Sequence, residues 1–152
     1  MESSNLLTPT NPVFAGYAFY SCVLILKTMC MSYLTGVQRF RKKAFVNVED
    51  AIAAGVDIKM DDQDVERCRR AHLNDLENIT MFLITGLIYV LTDPNIVFAL
   101  MLFRIYAVAR ILHTIVYAVV VVRQPARAIC FNIGVLCNFI MIFSIFSSCV
   151  QL

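Results

Sequence analysis

The sequence predicts an all-α integral membrane protein built as a bundle of four helices. Three observations predict this class. The 152 residues are 59% hydrophobic and only 16% charged, with a mean hydropathy of +0.71. Long apolar stretches account for this composition, which is more apolar than a small soluble domain requires. The Lys and Arg residues, finally, gather in only some of the segments between those stretches.

The apolar stretches indicate one domain with four membrane spans. A helix needs about 20 apolar residues to cross a hydrocarbon core of about 30 Å. Three of the four stretches reach that length. The remaining one, which is second in chain order at residues 79–91, extends only about 20 Å as a helix. Extending it back to Arg70 restores a full crossing and leaves a long loop at 39–63. The spans are expected at 13–37, 70–91, 96–122 and 128–150.

The basic residues predict the orientation. Ten of the 13 Lys and Arg lie in the 38–70 connection or beside the "RQPAR" turn at 123–127. Basic loops stay on the cytoplasmic side, so both termini are expected in the lumen. The one-sided charge suits acidic lipid or an anionic substrate, but it is too sparse and too poor in aromatic residues for nucleic acid.

Short polar segments predict helix ends and no metal site. The acids of "DDQD" (61–64) are expected to cap free N–H groups at a helix start, which is a better explanation than metal binding. In "TDPN", Asp93 is expected as the N-cap and Pro94 as the first helical residue. The six cysteines form no CxxC and have no His at metal-ligand spacing, so they are expected to be small buried hydrophobic residues.

Ionisable residues within the helices predict a polar site near the cytoplasmic side. Such groups avoid lipid, because even mild scales assign about 2.5–3.5 kcal/mol to a charge at the bilayer centre. Helical periodicity aligns them in two stripes. The stripes are Arg67, Arg70, Asn74 and Glu77 on the second span and Tyr106, Arg110, His113, Thr114 and Tyr117 on the third. Arg39 ends the first span and Arg127 begins the fourth at the same depth.

The residue types in these stripes favour a small zwitterionic ligand. Arg side chains hold carboxylates with a planar fork, Glu77 suits an ammonium group, and Tyr117 and Arg127 can donate to an anion. A peptide with two carboxylates, an amine and an ionisable thiol satisfies the set, and glutathione is such a molecule. Asp75 points away from Glu77 and is expected to pair with Lys27.

Other basic residues have a structural explanation. Arg104 lies nearer the lumen and is expected to be structural. Those that flank the spans are expected to anchor the helices at the interface: Arg39, Arg41, Lys42, Lys43 and Arg123. Among these, Arg39 is also a candidate for the ligand site.

The segments "ERCRRAHLNDLENI", "ARILHTIVYAVV" and "QPAR" resemble the membrane-associated eicosanoid and glutathione metabolism (MAPEG) family. The resemblance covers about Leu24 to Arg127 and includes an ungapped E-R-x-x-R-A-H-x-N-D-x-E core. It implies a four-helix bundle that forms a homotrimer, with glutathione as co-substrate between adjacent subunits. Within the family, the chain is most similar to the microsomal transferase branch and its insect counterparts, with the prostaglandin synthase branch as a near neighbour.

The resemblance also implies roles for individual residues. Arg127 stands at the position of the catalytic arginine and would hold the thiolate, with Tyr117 as a second donor. Asp50, in "NVED", matches an acid thought important in the prostaglandin synthase branch. Arg110 is a candidate glutathione ligand only because it lies on the stripe of the third span, since the resemblance does not imply a contact for it. The implied glutathione contacts are Arg39, Arg70, Asn74, Glu77, His113, Tyr117 and Arg127, with Arg69 and His72 matching the transferase branch.

Departures from the family pattern favour the transferase branch. Leu73 and Ala128 replace an arginine and a serine of the prostaglandin synthase branch. Ala51 stands where the vertebrate transferase has a cysteine linked to activation by thiol reagents, so that regulation is not expected. The expected function is transfer of glutathione to apolar electrophiles from the bilayer, with lipid hydroperoxide reduction as a second activity. The expected location is the endoplasmic reticulum membrane, then the mitochondrial outer membrane, with the site open to the cytosol.

Three other functions stay open. A prostaglandin E synthase would use the same site for isomerisation. A non-catalytic lipid-binding scaffold would have no need of Arg127. An ion or proton pathway could use Arg110, His113 and Glu77, but polar residues near one side only leave no continuous route across the membrane.

Overall fold

The computed structural model describes residues 6–150, and every regular element in that range is helical. In chain order these are α1 (Pro12–Lys42), α2 (Val48–Ala54), α3 (Gln63–Val90), α4 (Ile96–Thr114), a π-helical turn (Ile115–Val119) and α5 (Ala126–Val150). Around the bundle the order is α1, α3, α5, α4, so α1 lies diagonally opposite α5. The predicted all-α architecture is confirmed.

Three helices are long and apolar enough to cross a membrane. They are Pro12–Lys42, Ile96–Val119 and Ala126–Val150. Large apolar side chains cover their outer surfaces: Tyr33 and Val97 are 77% exposed and Phe143 is 73% exposed. Soluble monomers rarely expose so extensive an apolar surface, whereas a surface that contacts lipid is apolar, so the exposed side chains support the predicted membrane bundle.

Helix α3 begins at Gln63, seven residues before the membrane span that was expected from Arg70. The Asp62 side chain caps it by accepting from the backbone N–H groups of Asp64 and Val65, at 3.1 and 3.3 Å. The Lys59 ammonium also donates to Asp62 at 2.9 Å and, with these N–H groups, lowers the pKa of that carboxyl. The prediction that acids at 61–64 cap a helix is therefore confirmed.

The turn between α3 and α4 differs from the prediction. Asp93 adopts a left-handed conformation (φ 48°), and its N–H donates to the Val90 carbonyl at 3.2 Å, so it belongs to the end of α3. Asn95 is the N-cap of α4, and its side-chain oxygen accepts from the Phe98 N–H at 3.1 Å. The assignment of Asp93 as N-cap and Pro94 as first helical residue was wrong, because Asp93 is used to close the preceding helix.

The third predicted span is not a single α-helix to residue 122. After Thr114 the backbone widens into the π-helical turn, and residues 120–122 lie outside any helix. Within this segment, the Val122 N–H donates to the Val116 carbonyl at 3.0 Å. Single π-helical turns occur frequently at functional sites, and this one carries Tyr117.

An aromatic core locks α3 between its neighbours. Phe82 stacks on Tyr106 with ring centroids 4.1 Å apart. The Tyr106 hydroxyl donates to the Asn78 carbonyl of α3 at 2.7 Å. On the other side, Tyr17 of α1 packs so closely on Gly86 that a Cβ there would lie 2.9 Å from the Tyr17 ring. These contacts fix α3 within the bundle and so position its polar N-terminal half.

The cysteines are free, as expected, but they are not uniformly buried. Cys68 and Cys137 are buried, whereas Cys22, Cys30 and Cys149 are exposed. The expectation of buried thiols was wrong for these three, because hydropathy alone does not distinguish the lipid-facing side of a span from its core side.

Candidate functional site

A cleft of about 530 Å³ lies between α3, the π-helical turn and the start of α5. Its size falls within the range of ligand pockets, about 300–1,000 Å³. The cleft is lined by Arg70, Leu73, Asn74, Glu77, His113, Tyr117, Gln124, Arg127, Ala128 and Phe131. Residues of both predicted stripes therefore face one space within a single chain. The π-helical turn packs directly against α3, which brings the two stripes together.

Arg127 and Tyr117 form a cationic corner of the cleft. The Arg127 guanidinium carbon lies 4.4 Å from the centre of the Tyr117 ring, a cation–π contact. The His113 ring meets Tyr117 edge-on at 5.6 Å. Arg127 is also the second residue of α5, where the helix dipole disfavours a cation and favours an anion. The corner thus combines two sources of positive potential and is suited to an anionic ligand atom.

Arg70 and Glu77 lie about two turns apart on α3, and both side chains are exposed. Within residues 6–150, neither side chain has a hydrogen bond or a salt bridge. Their neighbours differ, since Arg67 pairs with Asp64 at 2.8 Å and Arg69 pairs with Glu66 at 2.9 Å. The Arg70 guanidinium and the Glu77 carboxylate are therefore available for a ligand.

Arg110 lies behind the cleft and does not line it. Its side chain is 1% exposed, and its Nη2 donates to Asp75 Oδ1 at 2.6 Å and to Asn74 Oδ1 at 2.8 Å. Asp75 Oδ2 accepts from Lys27, which confirms the ion pair predicted from the sequence. The hydrogen bond to Asn74 therefore connects Arg110 to the lining of the cleft.

Four other residues of the predicted site lie outside this cleft. Arg39 and Asp50 line a separate pocket of about 300 Å³ formed by the end of α1 and by α2. Arg69 is exposed and His72 half-buried on α3, and neither lines the cleft. One chain therefore assembles only part of the site that the resemblance implies.

The cleft also contains residues that the sequence reasoning missed. Gln124 lines it, and its side-chain oxygen accepts from the Ala128 N–H at 3.3 Å at the start of α5. Phe131 lies one helical turn beyond Arg127, so the periodicity used for the other stripes could have identified it. Together with Leu73 and Ala128, Phe131 gives the cleft an apolar wall beside its charged groups.

Comparison with known proteins identifies the family of this chain. The MAPEG family model matches residues 17–147. Microsomal glutathione S-transferase 1 of Homo sapiens is 44% identical over 128 residues, covering 80% of this chain and 81% of that protein. The Mus musculus protein of that name is 43% identical over 129 residues, covering 82% and 83%. Prostaglandin E synthase of Equus caballus is 36% identical over 135 residues, covering 88% of each chain. The chain belongs to the MAPEG family.

Proposed function

We propose that this protein is a membrane-bound glutathione transferase that conjugates glutathione to apolar electrophiles. The observation that carries the proposal is the cleft, in which Arg70, Glu77 and Arg127 form no salt bridge among the described residues. Glutathione offers the missing partners, since it has carboxylates, an ammonium group and an ionisable thiol. The relatives named glutathione S-transferase are also more similar to the chain than those named prostaglandin E synthase.

Six polar residues of the cleft have roles in holding glutathione. Arg70 binds a carboxylate through its planar guanidinium, and Glu77 binds the ammonium group. Asn74 and His113 hydrogen-bond the peptide between these ends. The thiol then lies at the cationic corner beside Arg127 and Tyr117.

Catalysis follows from the charge at that corner. A free thiol has a pKa of about 8.5, and an adjacent cation lowers it. Arg127 therefore raises the fraction of thiolate at neutral pH, with the thiol proton passing to solvent. The thiolate sulfur forms a bond to the electrophilic carbon, and the leaving group departs with the electron pair of the broken bond. Holding both reactants in one cleft supplies proximity.

The second substrate reaches the cleft from the bilayer. An apolar electrophile dissolves in lipid and can contact the wall formed by Leu73, Ala128 and Phe131. A lipid hydroperoxide would approach the thiolate by the same route, which gives glutathione-dependent peroxide reduction as a second activity.

The assembly proposed here is a closed cyclic homotrimer. Arg39 and Asp50 lie away from the cleft of their own chain. In the trimer, they border the cleft of an adjacent subunit and complete the site that the family resemblance implies. Asp50 then acts on the catalytic side of that cleft, near the thiolate.

Mixed trimers test this division of residues. Arg39→Ala subunits mixed with Glu77→Gln subunits should regain activity, because some clefts receive wild-type residues from both chains. Glu77→Gln mixed with Arg127→Ala should not recover, since both residues line the same cleft of one chain. The proposed arrangement would be contradicted if activity returned in the Glu77→Gln and Arg127→Ala mixture, or if it did not return in the Arg39→Ala and Glu77→Gln mixture.

The proposed location is the endoplasmic reticulum membrane, consistent with relatives named microsomal, with the mitochondrial outer membrane as a second site. The 28 residues of α3 extend about 42 Å, enough for a fourth span. The basic residues around the cleft and the α1–α3 connection favour a cytosolic opening and lumenal termini.

Prostaglandin E synthase activity is the second candidate. It is supported by relatives of that name at 36% and 37% identity. Leu73 and Ala128, the two positions that depart from the prostaglandin synthase pattern, both line the cleft. The departures thus lie where they can alter the reaction, which favours the transferase.

A conjugation assay tests the proposal. The purified protein in lipid nanodiscs should form the thioether of glutathione and an apolar aromatic electrophile, with a rate that saturates in glutathione. A parallel incubation with a prostaglandin endoperoxide separates the second candidate by its product. A rate no greater than the spontaneous reaction would contradict the transferase, and efficient isomerisation without conjugation would favour the synthase.

A further inference from the structure

A buried charge network lies directly behind the cleft. Asp75 is 0% exposed, and its Oδ1 accepts from Arg110 of α4, whereas its Oδ2 accepts from Lys27 of α1 and, at 3.5 Å, from the Thr114 hydroxyl. The Arg110 Nη2 that reaches Asp75 also donates to the Asn74 side-chain oxygen, at 2.8 Å. A chain of contacts therefore runs from Lys27, a residue remote from the cleft lining, to Asn74, which lines the cleft.

Arg110 determines which way the Asn74 amide points. A guanidinium has only donors, so the amide must turn its oxygen towards Arg110. The amide NH₂ group then remains for the cleft, where it can donate to a carboxylate or carbonyl oxygen of the ligand. An amide turned the other way would present an acceptor there and would repel that same group.

Lys27 explains why Arg110 is shared between two acceptors. A guanidinium beside a carboxylate frequently binds both oxygens with two parallel hydrogen bonds. Here Lys27 occupies Asp75 Oδ2, and Arg110 reaches only Oδ1. Among the described residues, Arg110 Nε and Nη1 are buried without a partner. These donors could engage Asp75 if Lys27 did not hold its second oxygen.

We propose that Lys27 is a positioning residue for the peptide ligand, acting through Asp75 and Arg110 to orient the side-chain amide of Asn74. The inference rests on the proposed function, because it takes glutathione as the ligand whose oxygen accepts from Asn74. Without Lys27, Asp75 turns both oxygens to Arg110. Nη2 then moves away from Asn74, whose amide is released.

The substitution Lys27→Met tests this role. It removes one of two cations around a single carboxylate, so an Asp75–Arg110 pair remains and no isolated charge is buried. The KM for glutathione should rise several-fold to about tenfold, the effect of losing one oriented hydrogen bond, with kcat at saturating glutathione unchanged. Lys27→Arg, which keeps a cationic donor, should restore the wild-type KM.

A matched control and a double-mutant cycle separate positioning from general stability. Arg104 is also a cation within a predicted span, but its side chain forms a hydrogen bond only with the Tyr20 hydroxyl, at 3.1 Å, and no salt bridge among the described residues. Arg104→Met should leave the KM unchanged. In an Asn74→Ala background, Lys27→Met should have no further effect on the KM, because the residue through which it acts is gone.

Calorimetric titration with glutathione provides the binding readout. If the wild type binds glutathione but Lys27→Met raises the KM equally in both backgrounds, the positioning role is overturned and the proposed function stands. If the wild type does not bind glutathione, both fail. Should Lys27→Met not fold, the neutral Lys27→Gln replaces it in the cycle. Failure of both variants to fold would overturn the positioning role in favour of a structural one.

Discussion

Two regions of this protein contain similar charged groups, which are paired with one another in one region and form no salt bridge in the other. Behind the cleft, Lys27 and Arg110 flank Asp75, and both cations bond the carboxylate. In the cleft, Arg70 and Arg127 accompany Glu77, and within residues 6–150 none of the three has a salt bridge. Each region has two cations and one carboxylate, so charge count alone does not distinguish them.

The difference shows how a membrane protein separates structure from binding. Burying ions is costly unless partners and hydrogen bonds offset the desolvation. The network behind the cleft supplies ionic partners internally, and only Arg110 Nε and Nη1 lack a hydrogen bond among its described donors. The cleft instead remains open and leaves its charges for groups that a ligand supplies. Buried charges that pair with one another therefore indicate a structural role, whereas unpaired charges that line a cavity indicate a ligand-binding site.

The largest expected effect concerns the buried network. Asp75→Ala leaves the Lys27 and Arg110 cations without their shared carboxylate, and removing one partner from a buried ion pair costs about 3–5 kcal/mol. Thermal or denaturant unfolding in detergent measures this loss. Glu77→Ala is the matched control, because the exposed Glu77 carboxylate has no internal partner in the described chain. Equal destabilisation by both substitutions would remove the distinction between the two regions.

The next effect concerns the rate at the cationic corner. Arg127→Ala should lower turnover at neutral pH on the order of a hundredfold, comparable to removing one preorganised electrostatic contact, without unfolding the protein. Removal of the cation raises the pKa of bound glutathione towards about 8.5. The rate of the variant should therefore recover in part as the pH rises through that value. A pH–rate profile identical in shape to the wild type would contradict this role of Arg127.

A smaller effect is expected at the other end of the ligand. Glu77→Gln retains the shape but loses the charge that pairs with the ammonium group, so glutathione affinity should fall about tenfold. The kcat at saturating glutathione should change little, since the thiolate end is intact. Calorimetry and steady-state kinetics measure the two quantities separately. An unchanged affinity would remove Glu77 from the ligand set.

The smallest effect is expected at Arg69. Its guanidinium pairs with Glu66 at 2.9 Å and does not line the cleft, and exposed ion pairs contribute little to stability. Arg69→Ala should therefore change the KM for glutathione by less than about twofold. A tenfold increase would show that Arg69 reaches the cleft of an adjacent subunit.

The sequence predicted the features that depend on spacing. Helical periodicity identified Arg70, Asn74 and Glu77 as one face, and the orientation of Asp75 away from Glu77 predicted its pairing with Lys27. The resemblance contributed the ligand and the significance of Arg127. The shared face of α3 and the Asp75–Lys27 pair are confirmed, because the direction of each side chain follows from regular helix geometry. The ligand and the role of Arg127 stay predictions.

The sequence did not predict features that depend on local backbone changes or on several helices together. No residue pattern marked the π-helical turn at Ile115–Val119, which brings the stripe of α4 and its continuation to the same cleft as α3. Periodicity assigned Arg110 to that stripe, but its burial depends on Asp75 and Asn74 of another helix. Asp93 was misassigned because an acid before proline suits either a cap or a left-handed turn.

The most direct test of the distinction between the two regions is a glutathione titration that follows the ultraviolet absorbance of the thiolate at neutral pH. The wild type should develop saturable thiolate absorbance, and Arg127→Ala should develop none while still binding glutathione by calorimetry. Lys27→Met should reach the wild-type amplitude at higher glutathione concentrations, because its effect is on affinity. Full thiolate absorbance in Arg127→Ala would contradict the assignment of the unpaired cleft as the activating site.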